Sequence, residues 1–475
     1  MSGLTPFRGT WTKTLAAHLL NRAGFGGTPA EIDRVAVWGM EKAVDYLVDF
    51  DKVEEKVASP DLPENPENFR ELRKLSEEEK KALFRANREA IEDIRGWWIT
   101  RMLNTPRPLQ EKLTLFWHGH FATSANDVKN ARHMFLQNEF LRRHCAGNFR
   151  DLTLGISRDP AMLRYLNNNT NHKEHPNENY ARELMELFTM GIGNYTEDDV
   201  KEAARAFTGW TFEGDEFRFA TFRHDYGSKK FLGRTGNFDG TEIVDIILEQ
   251  PVTAKFIARK LFAFFVADKA PADLVEELGN VFRSGKYELK PFLRTLFKSE
   301  VFYSATSWRT QIKSPAQLVI GSARLLGVET NTRALAVAMR ALGQDLLFPP
   351  NVKGWDGGET WINTNSLMMR YNLARYFLTG DLPGNPREMS PGPQRRALHQ
   401  MLAAAPSNKL DEICPQSIAV DPERVVDVLA ARLLQAPVEP KVRVWLSDQA
   451  RAVMSKERPA VVAHLIMSMP DYQLC

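Results

Sequence analysis

The amino-acid sequence predicts a mainly α-helical, multi-helical globular protein with a small β-hairpin insertion near residues 210–224. Helix-start signals recur along the 475-residue chain, and apolar residues at helical spacing follow them. One segment departs from this pattern, because apolar and polar residues alternate on both sides of Glu213-Gly214-Asp215. The hydrophobic content of 43% is ordinary for a globular chain with a sizeable core.

The predicted helices follow one another with short connections. In the first of them, Thr28-Pro29-Ala30-Glu31 combines an N-cap, a proline at the first helical position and a capping-box glutamate. Similar signals at Ser76, Thr196 and Ser314 begin later helices. The predicted helices are 29–48 with an interruption at Gly39, 76–103, 109–116, 178–190, 197–207, 241–249, 252–266, 272–283, 289–298, 314–327, 331–342 and 365–377.

Three segments stand apart from the helices. Residues 51–75 are rich in Pro, Glu and Asp and indicate a solvated excursion, and residues 349–364 are punctuated throughout by Pro and Gly. Residues 380–394 contain four prolines and three glycines, which predicts a linker. We therefore expect a main helical domain at 1–380, containing the polar motifs, and a C-terminal helical bundle at 395–475 packed on it.

Composition argues against several classes of protein. Lys and Arg total 62 and Asp and Glu total 60, so the formal charge of +2 gives no field to hold nucleic acid or an acidic membrane. The three cysteines are far apart in the sequence, which fits a reducing compartment better than a disulfide framework. No apolar stretch reaches the length of a membrane span, and no signal-peptide pattern is seen, so the expected location is the cytoplasm.

His118-Gly119-His120 is the first candidate for chemistry, because histidine is a frequent metal ligand and acid/base group. On a continuous helix these two histidines would point about 200° apart and could not share an ion. Gly119 would permit a break that allows chelation from an extended segment. The alternative is that one histidine is buried and hydrogen-bonded while the other lies on a rim.

The second candidate is the segment 175–183, which concentrates polar side chains before and along a predicted helix. Pro176 keeps His175 out of the helix and Asn177 is a natural N-cap. Glu183 falls at the edge of the apolar stripe, where a raised pKa would suit an acid or base. The alternative is a capped helix with surface ion pairs. The polar side chains of the segment are His175, Asn177, Glu178, Asn179, Tyr180, Arg182 and Glu183.

The loop 349–364 is the third candidate, because loops on a rigid scaffold commonly carry binding groups. Trp355 and Trp361 beside Lys353 and Asp356 could form a stacking platform for a sugar or another flat, amphipathic ligand. The alternative is that both indoles anchor the loop onto the helices.

Five stretches together resemble the bacterial domain of unknown function 1800 family. The resemblance covers the chain from about His18 to its end, and the run NENYARELMELFT is its most specific part. It implies no particular activity, and exported members of the family weigh against the cytoplasmic expectation. The stretches are LFWHGHFATS (115–124), GNFRDLTLGISRDPAMLRYL (147–166), HPNENYARELMELFTMGIGNYTEDDVKEAARAFTGW (175–210), TQIKSPAQLV (310–319) and PPNVKGWDGGETWINT (349–364).

Two functional hypotheses follow. The first is a hydrolytic or metal-assisted acid/base enzyme whose substrate is a polar small molecule or glycan. In it, His120 is a metal ligand or base, Glu183 an acid/base, Arg182 an anion clamp and Trp355 the platform. Its cofactor would be a divalent metal ion, with His118, His120 and His175 as candidate ligands. The second is a non-catalytic binding or assembly protein, in which the same motifs are structural.

Overall fold

The computed structural model describes residues 3–64, 71, 74–381, 405–436 and 438–475. Helices dominate this part of the chain, and its strands form two antiparallel two-stranded sheets, which confirms the predicted fold class. The longer α-helices are Lys13–Arg22, Pro29–Trp38, Met40–Val48, Glu77–Asn104, Pro108–His120, Ala131–His144, Phe149–Ser157, Glu197–Ala206, Gly240–Glu249, Pro251–Phe265, Ala272–Ser284, Leu289–Phe297, Pro315–Leu326, Thr332–Ala341, Thr364–Thr379, Pro422–Leu433, Pro440–Arg451 and Arg458–Ser468.

Shorter elements connect these helices. The short α-helices are Ala125–Val128, Pro160–Tyr165, Asn179–Glu183, Leu410–Ile413, Gln416–Ala419 and Pro470–Gln473. A π-helix spans Leu184–Thr189, and 3-10 turns span Phe50–Lys52, Asn168–Thr170, Thr221–Arg223, Val301–Tyr303 and Gly358–Trp361. The strands are Trp210–Glu213, Glu216–Phe219, Lys229–Phe231 and Arg234–Gly236.

The predicted helix starts are confirmed by their hydrogen bonds. The side chains of Thr28, Ser76, Thr196 and Ser314 each accept from the backbone N–H three residues later, and the side chain of that later residue accepts from the backbone N–H of the cap. Gly39, at φ +78°, divides the first predicted helix into two helices, as its position in the sequence indicated.

The predicted hairpin is present, and a second one follows it. Trp210 pairs with Phe219 across the first hairpin, and Thr221–Arg223 forms a 3-10 turn instead of prolonging the second strand. The second hairpin was not predicted. Its turn places Leu232 and Gly233 at positive φ, the backbone twist that suits a two-residue hairpin turn.

Two large apolar clusters form the interior, and the Pro108–His120 helix belongs to both. Leu113 and Trp117 lie in the first cluster, which consists mainly of residues before 304. Leu115, on the opposite face, lies in the second cluster with the C-terminal helices. All but one of the side chains of this helix are buried, so it runs through the middle of the molecule.

The predicted division of the chain falls largely on residues 382–404, which lie outside the described part, as do 65–70 and 72–73 of the predicted excursion. Helices beyond residue 404 share the second cluster with Glu77–Asn104 and Pro315–Leu326. In the described ranges, none of the helices combines the length and apolar character needed to cross a bilayer.

A fully buried carboxylate lies near the start of the Pro108–His120 helix. Glu111 accepts hydrogen bonds from Trp98 Nε1 at 3.0 Å, from Arg101 Nε at 2.7 Å and from Arg142 Nε and Nη2 at 2.8 and 3.0 Å. Burial opposes the charge of Glu111, but the two guanidinium groups lower its pKa below the ordinary value. Both carboxylate oxygens are thus occupied by donors of the protein itself.

Candidate functional site

His118 and His120 occupy the last turn of the Pro108–His120 helix and point to opposite sides. The helix is not broken at Gly119, so the two rings diverge as a continuous helix requires. His118 lies against Trp98 on the side of the second apolar cluster, whereas His120 contacts Phe121 and Phe188 in the first. The two rings are therefore not placed to bind one ion together.

His118 supports the chain that leads into the loop 349–364. Its Nε2 accepts the backbone N–H of Leu347 at 3.2 Å, and Leu347 adopts φ +68°. A left-handed conformation is unfavourable for leucine, so contacts such as this one must hold it. Burial lowers the pKa of His118 to about 4, which keeps the ring neutral and able to accept.

His120 has a partner on each ring nitrogen. Its Nε2 donates to the carbonyl of Phe188 at 3.0 Å, and its Nδ1 accepts from Lys260 Nζ at 3.2 Å. Burial, together with the charge of Lys260, lowers the pKa of His120 well below the ordinary value. A neutral ring with its proton on Nε2 satisfies both contacts.

The carbonyl of Phe188 is available because the helix around it is a π-helix. We expected a regular helix over 178–190, but the α-helix Asn179–Glu183 widens into Leu184–Thr189. After the last π turn, the N–H groups of Met190 and Gly191 both return to Met185, so the carbonyls of Leu187 and Phe188 face other groups. Such π turns occur frequently at functional sites.

Lys260, on the Pro251–Phe265 helix, joins His120 to this π-helix. Its Nζ donates to His120 Nδ1 and to the carbonyl of Leu187 at 3.0 Å. Burial, with the nearby charges of Arg259 and Lys353, lowers the pKa of Lys260 to about 8. Lys260 therefore loses its proton more readily than a solvent-exposed lysine.

The loop 349–364 is seated on the His118–His120 turn. Gly354 lies so close that a Cβ there would be 2.2 Å from the carbonyl oxygen of Gly119, and the Trp355 ring lies 5.7 Å from that of His118. Trp355 is half-buried, whereas Lys353 and Asp356 are exposed and form an ion pair at 2.5 Å. Trp361 is 7% exposed and anchors the loop.

The segment 175–183 contributes little to this centre. Asn177 caps the backbone of the exposed Asn179, and Tyr180 is buried and donates to Ser157 Oγ at 2.5 Å. Arg182 forms ion pairs with Glu178 at 3.1 Å and with Glu197 at 2.8 Å. These contacts match the structural alternative of a capped helix with surface ion pairs, so an anion clamp at Arg182 lacks support.

Glu183 immediately precedes the π-helix and is half-buried. Burial and the neighbouring charge of Glu186 raise its pKa, while Arg182 opposes the shift. Burial, with the charges of Asp127 and Glu183, also raises the pKa of Tyr165, so the carboxyl of Glu183 lies near that phenol. A role for Glu183 as an acid or base stays a prediction.

The three histidines predicted as metal ligands do not converge. His175 is exposed, with its ring 5.5 Å from that of His172, while His118 and His120 are buried on opposite faces of their helix. Within the described ranges, no group of three or more His, Cys, Asp or Glu side chains is arranged to hold a metal ion. The three histidines are therefore not placed to coordinate one divalent cation together.

His120 and the π-helix meet at Lys260, and the loop 349–364 is seated on the adjacent Gly119 with Trp355 on the side of His118. The centre predicted from the sequence also included the segment 175–183, which supplies none of these contacts. Lys260 is the member that the sequence did not indicate. It lies in KFIARKLFAFF, an ordinary amphipathic helix pattern, and belongs to no motif. Its importance depends on the neighbours that folding supplies.

The fold and the site define a mainly helical protein with a partly buried His–Lys pair at the end of its central helix. The chain belongs to the family described as protein of unknown function DUF1800, which matches residues 18–474. No match was found among curated proteins or among solved structures.

Proposed function

We propose that the protein is an enzyme that carries out acid/base chemistry, such as hydrolysis, on a polar, carbohydrate-like substrate. Lys260 is the proposed base, and His120 is the residue that positions it. The observation that carries the proposal is the placement of the Lys260 amine between His120 Nδ1 and the carbonyl of Leu187, at the helix end on which Gly354 of the loop 349–364 is seated.

The hydrogen bonds of Lys260 suit an uncharged amine. A neutral amine has two N–H bonds and one lone pair, and the two acceptors, His120 Nδ1 and the Leu187 carbonyl, use both N–H bonds. In this proposal the lone pair takes a proton from water or a substrate hydroxyl, and the Phe256 ring, with its centroid 4.9 Å from Nζ, borders the amine. With a pKa of about 8, Lys260 is close to the range in which a general base is most effective.

The substrate side of the site is formed by the loop 349–364. The half-buried indole of Trp355 offers an aromatic face, and the exposed pair Lys353–Asp356 offers a hydrogen-bond donor and an acceptor. Aromatic faces bordered by polar groups suit the alternating apolar and hydroxyl surfaces of a sugar. The charge of Lys353 acts on Lys260, so the loop lies near the proposed base.

Turnover of a panel of oligosaccharides, followed by mass spectrometry, tests the proposal. We expect wild-type protein to convert at least one member and K260M to be slower by about 100-fold or more. Lys269, an exposed lysine shortly after the same helix, provides the matched control K269M, which should keep the wild-type rate. The wild-type rate should rise with pH through about 8, since the uncharged amine is the active form.

Two outcomes would contradict this function. Undiminished turnover in K260M would remove Lys260 from the chemistry. Failure of the wild-type protein to convert any member of the panel would favour the second candidate, a non-catalytic binding or assembly protein. That candidate is supported by the intramolecular partners of His118, Tyr180 and Arg182, because saturated polar groups are typical of structural networks.

A further inference from the structure

A groove of about 600 Å³ runs between the helices Glu77–Asn104 and Thr332–Ala341, and none of its lining residues belongs to the Lys260 centre. Its wall is unusually rich in arginine. Two carboxylates, Glu89 and Glu92, also line it, so the wall carries a net charge of three positive units. The arginines are Arg85, Arg88, Arg95, Arg333 and Arg340.

Three of these arginines are partly neutralised by ion pairs. Arg95 pairs with Asp345 at 2.6 Å and with Glu92 at 2.9 Å. Arg340 shares Asp345 at 2.6 Å. Arg333 reaches Asp93 at 3.4 Å, a pair in which both side chains are more than half exposed and which contributes little.

Arg85 and Arg88 are different, because they form no ion pair with any residue of the described part of the chain. Both are exposed and lie about one turn apart on the same helix. Two guanidinium groups held this close repel each other unless an anion lies between them. Their charge faces the groove, and Glu89 and Glu92, which also line it, form no ion pair with either of them.

Arg95, one of the residues that line the groove, carries a buried donor without a partner in the described part of the chain. The Arg95 side chain is 1% exposed, and its Nε has no hydrogen-bond partner among the described residues. A buried unsatisfied donor is unfavourable unless a ligand or water occupies it. At the other wall, Asn331 caps the Thr332–Ala341 helix, so the positive end of that helix dipole also faces the groove.

We propose that this groove binds a phosphorylated ligand. The planar guanidinium fork matches the oxygens of a phosphate group in a bidentate geometry, and a doubly charged phosphate would neutralise Arg85 and Arg88 together. Phe84, which is 58% exposed, lines the neighbouring groove with Arg88 and provides a surface for the remainder of an organic phosphate. The site is independent of the proposed chemistry at Lys260.

Calorimetric titration with inorganic pyrophosphate in low-salt buffer tests this site. We expect saturable binding by the wild-type protein and an affinity reduced by about tenfold or more in R85A/R88A. Both substitutions lie on the surface, so the variant should fold, whereas Arg95 is buried and is left unchanged. The matched control is R34A/R223A, which removes two arginines that are exposed like Arg85 and Arg88 but lie elsewhere on the surface.

Parallel titrations define the ligand further. Adenosine diphosphate that binds more tightly than pyrophosphate, with the gain lost in F84A, would support an organic phosphate; equal affinities would support a free oligophosphate. The proposal would be overturned by a wild-type protein that does not bind pyrophosphate, or by equal loss of binding in R34A/R223A. Full binding in R85A/R88A, or citrate binding as tight as that of pyrophosphate, would overturn it as well.

Discussion

The two ends of the Pro108–His120 helix carry buried polar groups of opposite character. Near its start, Glu111 receives four hydrogen bonds from two arginines and a tryptophan, so no position remains for an outside molecule. At its end, His120 is joined to Lys260, whose amine donates two hydrogen bonds and has, in the proposed function, a third position for the substrate. One helix thus combines a closed polar cluster with an open one.

This difference separates stability from function. A saturated buried ion cluster loses much stability when one member is removed, because the remaining charges are left without partners. Burial instead lowers the pKa of the Lys260 amine by disfavouring its charged form, and groups with such shifted pKa values concentrate at functional sites. The following predictions test whether the two ends respond in these two ways.

The largest effect is expected for E111A. Removing this carboxylate leaves Arg101 and Arg142 buried without their shared partner, so the free energy of unfolding should fall by about 3–5 kcal/mol. Denaturant unfolding at neutral pH measures this loss of stability. Glu78 is an exposed glutamate of the first turn of its helix, and the control E78A should change stability by less than about 0.5 kcal/mol. A small effect of E111A would show that the cluster is not closed as described.

G354A should have the next largest effect, because the new Cβ would collide with the carbonyl oxygen of Gly119. We expect a loss of about 2–3 kcal/mol, together with a shift of the Trp355 signal in fluorotryptophan NMR. Gly193 provides the matched control: its φ of +87° is close to the +83° of Gly354, but a Cβ there meets nothing within 4 Å. Equal losses in G193A and G354A would mean that the loop is not seated on the helix end.

The acid sensitivity of stability should depend on His118. Its pKa is about 4 in the folded protein and 6.5 in the unfolded chain, so the unfolded state binds more protons between these values. Stability from this group is therefore present above pH 6.5 and is lost as the pH falls towards 4. Between pH 7 and pH 5 the loss is about 2 kcal/mol.

H118Q removes that titration, and its unfolding free energy should decrease less than that of the wild-type protein over the same interval. Burial raises the pKa of Asp159 to about 7, so this group stabilises the folded protein as the pH falls. Asp159 is present in both proteins, and its contribution cancels in the comparison. Denaturant unfolding at the two pH values measures the difference. Parallel losses in the two proteins would indicate that His118 is able to take up a proton in the folded state.

K260M is expected to change stability least. It leaves His120 Nδ1 and the Leu187 carbonyl without a donor, but it also removes a charge that burial disfavours. These effects oppose each other, so the free energy of unfolding should change by no more than about 1 kcal/mol. Denaturant unfolding at pH 7 measures this change. A loss as large as that of E111A would make Lys260 a second structural ion, not an open base.

The sequence predicts the fold better than it predicts the centre. Caps such as Thr28 and Ser76 set helix starts through contacts within a few residues, which is why they can be read locally. The Pro and Gly pattern of 349–364 likewise indicated an irregular loop near the site. The π-helix at Leu184–Thr189 could not be predicted in this way, since its residues fit a regular helix pattern and tertiary packing decides its width.

The same limit explains the errors at the centre. Chelation by His118 and His120 would have required a break at Gly119, but the helix continues. The alternative placed one histidine on a rim, whereas both are buried. Lys260 carries no local signal, because a lysine in an amphipathic helix is usually solvated. Only the carbonyl of Leu187 and the ring of His120, supplied by distant segments, distinguish it.

The most direct test of the account is a titration of Lys260 in the folded protein. Carbon-13 labelling of the lysine ε position, with the Lys260 signal assigned from K260R, allows its protonation to be followed by NMR as a function of pH. The account predicts a pKa of about 8. A midpoint near the ordinary lysine value of 10.5 would show a solvated ammonium and would contradict the open base at the end of the central helix.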